Sequence, residues 1–171
     1  MDNTQRNALE REFEDKSGRL TEMMMQMSDM QTAWQKYEAA TRAGLVRTLY
    51  DALAEEEEEV ARMQKHVNNA AEEAKKARLS GEKALADAAE EARKAQQLAL
   101  DHAVTHRDSA RRSYENMLAQ QGFDSEAAFK AAFLTKPQFL KLEETIMPFR
   151  MEYATLLARC EEIEALLGDE E

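Results

Sequence analysis

His102 and His106 stand one helical turn apart, the i, i+4 spacing that lets two imidazoles share a metal ion on one helix face. Between them lie Ala103, Val104 and Thr105, so the glutamate that a zinc hydrolase needs beside its first histidine is missing. No third ligand is evident. A metal-dependent helical bundle would need Glu-x-x-His pairs on facing helices. The residues three before His66, His102 and His106 are Met63, Ala99 and Ala103. The plainer reading of the pair is a seam or flank in a helix contact, with some pH sensitivity near neutrality if both rings are buried. Cys160 is the single cysteine, which excludes a disulfide framework and a CxxC motif. Its setting, LLARCEEIEALL, reads as one helical position among others.

Phosphate chemistry is equally bare. There is no GxxxxGK[ST] loop and no GxGxxG segment. Leu79-Ser80-Gly81-Glu82 departs from the LSGG signature of ABC-type ATPases by lacking the second glycine. It is followed by a helical KALADAAEEARK rather than an apolar strand. Glu55–Glu59 offers a docking patch for a basic partner, or simply a solvated face with one seam position held by Glu. The cluster MMMQMSDM at 23–30 is an adaptable contact surface or, more plainly, core. We therefore expect no catalytic, cofactor-binding or metal-binding residue.

The elements that carry these residues are helical. Charged residues make up 33% of the chain and aromatics 6%, with only 5 Gly and 2 Pro among 171 residues, which is the composition of long helices. The net charge of −11 is unevenly spread: residues 1–60 carry −7, 61–120 carry +2 and 121–171 carry −6. Most of this surface would repel DNA phosphates, so direct nucleic-acid binding is not expected. No window has the length of a membrane span or a signal peptide, and a cytoplasmic location is the default expectation.

Apolar positions keep a 3–4 spacing from about residue 3 to 120, the seam of a coiled coil. One stripe runs Leu20, Met23, Met27, Met30, Trp34, Tyr37, Thr41, then in steps of four through Leu45 and Leu49 to Leu53. A second runs Val60, Met63, Val67, Ala70, Ala74, Ala77, and a third Ala88, Ala92, Ala95, Ala99, His102, His106, continuing towards Tyr114 and Met117. Because the second and third join in phase through Gly81 and Ala84, the spacing favours one helix over 3–120. The alternative is a turn at 80–82, with Ser80 or Gly81 capping a new helix. The fold expected is all-α, a long antiparallel coiled coil or helical hairpin, with a short-helix break near residues 120–137.

That break is legible in QGFDSEAAFKAAFLTKPQFL (121–140), which holds four of the six phenylalanines and the first proline of the chain. Gly122 suits the left-handed residue that ends a helix. Asp124 or Ser125 caps a short helix EAAFKAAFL, stapled by Phe123, with Phe129 and Phe133 on one face. Thr135-Lys136-Pro137-Gln138 has capping-box spacing with Pro137 in the first turn. The last helix, 137–168, should kink at Pro148, whose ring opposes the Glu144 carbonyl, and end at Gly168. Its acidic character predicts a partner in the near-neutral segment 85–118.

With Gly122, Phe123, Asp124, Phe129, Ala132, Leu134 and Leu142 so placed, residues 85–168 resemble the coiled-coil arm of the SbcC family. These are the large subunits of the SbcCD nuclease, among the SMC-like ATPases. The resemblance implies an arm segment of an ATP-dependent DNA double-strand-break repair exonuclease, spacing or transmitting rather than catalysing. The SbcD-like nuclease would be reached only through the parent protein. The family's ATPase motifs and CxxC zinc hook are absent from this sequence, so no ATP, zinc or nuclease role passes to any residue. The alternative is a complete small scaffold, or a secretion or phage accessory protein, dimerising through residues 13–53. Met1 and the GDEE terminus favour that alternative mildly. Either way an exposed seam should drive self-association.

Overall fold

The computed structural model describes residues 1–169; the last two residues of the GDEE terminus, 170 and 171, lie outside the described residues. All regular structure is helical: α1 (Asn3–Met25), α2 (Met27–Ser80), α3 (Lys83–Gln120), α4 (Glu126–Ala131) and α5 (Lys136–Gly168). Two compact units divide the chain. One comprises Met1–Thr41 with the chain from Leu134 onward, and the other Arg42–Phe133.

In the Arg42–Phe133 unit, α2 and α3 form an antiparallel helical hairpin. Tyr50 meets Tyr114 at 5.6 Å between ring centroids, and Glu57 pairs with Arg111 at 3.2 Å. The sequence spacing predicts a helix passing straight through Gly81, and the structure corrects this to a turn. Gly81 takes φ +77, a conformation other L-residues rarely adopt. The Ser80 hydroxyl donates to the Ala77 carbonyl at 2.6 Å and accepts from the Glu82 N–H at 3.3 Å. The N-cap of α3 is Glu82, without a side-chain cap, rather than Ser80 or Gly81.

The turn also resets the helical phase, which moves the seam of α3. Ala86, Ala89, Arg93, Gln96, Leu100, Ala103, Arg107, Ala110, Tyr114 and Met117 form a buried or half-buried line in unbroken steps of three and four, flanked by further half-buried residues. The expected stripe lies one residue off this line: Ala88, Ala92, Ala95, His102 and His106 are exposed and Ala99 is half-buried. Within α2 the stripe Val60, Met63, Val67, Ala70, Ala74, Ala77 does face inward. Ahead of it, Ala43 and Val46 are fully buried, whereas Thr41 and Leu45 are exposed. A stripe drawn in steps of four therefore misses the seam at Thr41 and Leu45 but rejoins it at half-buried Leu49 and buried Leu53.

In the other unit, α5 runs antiparallel to α1 and the first turns of α2. Arg159 grips Glu12 with Nε at 2.7 Å, Arg19 grips Glu152 at 2.8 Å, and the rings of Tyr37 and Phe139 stack at 4.7 Å. The partner of α5 is therefore the N-terminal segment, where charge distribution alone predicts 85–118. Apolar complementarity decides this: Leu20, Met23, Ile146, Cys160 and Ile163 form the buried line of the unit. Along the stretch 13–53, Leu20, Met23, Val46 and Leu53 are buried within the chain.

Helix ends follow local chemistry. Asp2 and Gln5 form a capping box on α1, and Thr135 and Gln138 form one on α5. Helix α1 stops at Met25, and a single residue, Gln26, separates it from α2. Helix α5 is assigned without interruption through Pro148. Its inward positions Leu142, Ile146, Phe149, Tyr153, Leu156 and Cys160 keep step on both sides of the proline. Gly168 is its last helical residue, and the cap is Asp169.

Candidate functional site: the aromatic joint

The chain leaves α3 through a Schellman motif. The Phe123 N–H donates to the Leu118 carbonyl at 3.0 Å and the Gly122 N–H to the Ala119 carbonyl at 3.0 Å. Gly122 sits at φ +78, which is the role its sequence position suggests. Ser125, not Asp124, then caps α4, accepting from the Ala128 N–H at 3.1 Å; Asp124 is exposed. Helix α4 is shorter than EAAFKAAFL, because 3₁₀-type bonds from Ala132 to Phe129 and from Phe133 to Lys130 close it after Ala131.

Phe129 is the centre of the joint and is fully buried. Its ring meets Phe133 at 4.5 Å, Tyr50 at 5.7 Å, Phe123 at 6.0 Å and Tyr114 at 6.2 Å, each inclined at a steep angle that suits the ring quadrupoles. Ala43, Val46 and Leu53 from α2 complete the core. So the structure brings Phe123, Phe129 and Phe133 together on the hairpin of α2 and α3. Pro137 lies in the exposed first turn of α5, and Pro148 on the exposed face of that helix, both in the other unit.

Three cations ride on the cluster. Arg42 lies over Phe123 at 5.3 Å, Arg47 over Phe133 at 5.1 Å and Lys130 over Tyr50 at 5.0 Å. The Tyr50 hydroxyl beside it holds the Lys130 ammonium above its ordinary pKa. Arg42 also donates from Nη1 to the Gln121 carbonyl, placing a positive charge where the α3 dipole ends. Tyr114 Oη is buried with no hydrogen-bond partner, and burial first, then the Glu126 charge, raises its pKa. Arg42, Arg47, Tyr50 and Lys130 were not among the residues the sequence marks; Tyr114 was, as a continuation of the third stripe. Tyr50 and Tyr114 are readable as inward positions once the phase of each helix is known. The cations have no sequence signal, since flanking Arg and Lys are common on every helix here.

The contacts described at this joint are those of ring packing and charge. His102 and His106 are exposed on α3, and Cys160 is buried in the seam of α5. Among the described residues no three His, Cys, Asp or Glu side chains gather to hold a metal. In the acidic run, Glu57 pairs with Arg111 and Glu59 with Arg62, while Glu56 is half-buried. The methionine cluster divides: Met23 is fully buried, whereas Met25 is 83% exposed. Among the described residues no helix is long and apolar enough to cross a membrane. No family model, curated protein or solved structure matches this chain.

Proposed function

We propose that this chain is a structural arm element, spacing or transmitting movement within a larger assembly, of the kind its resemblance to SbcC implies. The observation that supports this most is the joint itself. After α3, the Gly122–Phe133 insert is locked to α2 of the same unit through Phe129, Tyr50 and Arg42. Such an insert fixes the register of two long helices, which a bare Ala-rich seam specifies weakly. In this reading the parent machine is an ATP-dependent DNA-repair exonuclease, and its ATPase and nuclease sites lie in other parts. The departure from the family is at Ser80-Gly81-Glu82, where a tight turn closes the hairpin without cysteines, so zinc has no part in the proposal.

An antibody raised against this chain, used on a lysate of its native source, tests the reading. A band several times heavier than 19.5 kDa, retained with a nuclease subunit on precipitation, is the expected result. A band at 19.5 kDa overturns it. The second reading, a self-associating scaffold, is favoured by the exposed face of α3, where Leu85 and Leu98 are 50% and 59% exposed. Sedimentation equilibrium of the isolated chain distinguishes a monomer from a dimer.

A further inference from the structure

Three features of the α1/α5 unit fall at one level. The first is Gln26, where the helix running from Asn3 towards Ser80 is broken for a single residue. Its N–H turns back to the Met23 and Met24 carbonyls, and its own carbonyl already accepts from the Met30 N–H at 3.1 Å. The second is Pro148, which has no N–H to give the Glu144 carbonyl. Arg19 faces Glu152 and Tyr37 faces Phe139, so Gln26 comes level with the turn between residues 145 and 150. A one-residue break in one helix and a missing backbone donor in the other, itself unbroken, therefore fall at the same height.

The third feature is an apolar cavity of about 170 Å³ between them, lined by Met27, Met30, Trp34, Ile146 and Phe149. Arg150 also lines it, lying 4.2 Å over the Trp34 ring. A continuous helix pair resists bending because every turn is tied by backbone hydrogen bonds and tight packing. Here the backbone bond pattern is altered at Gln26 and one donor is absent at Pro148, and two of the lining residues are methionines, which repack with little penalty. We propose that this level is a built-in flexion point of the unit: the α1/α5 pair bends between Gln26 and Pro148, with the cavity supplying the room. Its use in an arm rests on the function proposed above. The flexion is a property of the unit alone and is measured without any partner.

Hydrogen exchange of the intact chain, followed by mass spectrometry, tests it. Amides in peptides covering 24–30 and 145–152 should exchange about tenfold or more faster than those covering 13–22 and 153–163, because local opening is confined to the defect. Pro148→Ala restores a helical N–H and should slow exchange in both peptides, including 24–30, which does not contain the substitution. Slowing of 145–152 alone means a local proline effect and overturns the proposal. So does uniform protection across the unit in the unsubstituted chain, or loss of helicity in Pro148→Ala.

Discussion

Arg42 of α2 donates to the Gln121 carbonyl at the end of α3, and in the same pose its guanidinium covers the Phe123 ring. One side chain thus ties the helix end, the left-handed residue after it and the first phenylalanine of the joint to the opposite helix. Arg42→Met keeps the aliphatic volume but leaves the carbonyl without its charged donor. The expected loss is about 1.5–3 kcal/mol in urea unfolding. Arg42→Lys should recover only part of it, since a lysine has no planar fork to serve carbonyl and ring together. Equal stability of all three chains would show that the contact contributes nothing.

Gly122 and Gly81 share a left-handed backbone, at φ +78 and +77. An added Cβ at Gly81 meets nothing within 4 Å, and at Gly122 it makes ordinary contact with Arg42 Nη1 at 3.4 Å. The penalty in both is therefore conformational. Gly→Ala at either position should destabilise by about 1–2 kcal/mol, and Gly→Asn by less, because Asn tolerates that region. Thermal melts of the four variants check the order; an Asn that costs as much as Ala would point to a steric cause instead.

Tyr114 carries a hydroxyl into the core without a partner, although the Glu126 charge is close enough to raise its pKa. Removing an unsatisfied buried hydroxyl relieves its desolvation. Tyr114→Phe is expected to leave stability unchanged or raise it by up to about 1 kcal/mol, whereas Phe129→Ala should cost about 3–5 kcal/mol. A clear loss in Tyr114→Phe would reveal a hydrogen bond made in solution.

Acid acts on the α1/α5 pair through Glu12 and Glu152. Hydrogen bonds from Arg159 and Arg19 hold their carboxyl groups below the ordinary glutamate range. A depressed folded pKa means stabilisation that is present above the unfolded value, about 4.3, and lost as pH falls through the folded one. Both pairs are solvent-facing, so the effect is modest and should shrink in high salt. Melting temperature against pH should fall below about pH 4, and Glu12→Gln with Glu152→Gln should flatten that fall. A curve unchanged by the double substitution would remove these pairs from the account.

Much of this architecture was legible in the residues themselves. Composition and the 3–4 spacing dictate helices; Gly122, Ser125 and the Thr135–Gln138 box dictate where helices end, because caps are local hydrogen bonds. The phenylalanines of 123–133 announce a joint, since no helix seam needs so many large rings in so few residues. What the chain could not declare alone was phase and partnership. A glycine in step with a stripe is compatible with a turn, and once Gly81 turned, the face α3 presented was chosen by Leu100 and Tyr114 packing on α2, not by Ala88 or His102. In the same way α5 lies on α1 because Ile146, Cys160 and Ile163 find Leu20 and Met23 there, while net charge, being screened and undirected, pointed elsewhere. Local hydrogen bonds can be read from neighbours in sequence; which apolar faces meet is settled only by the three-dimensional fit of whole helices.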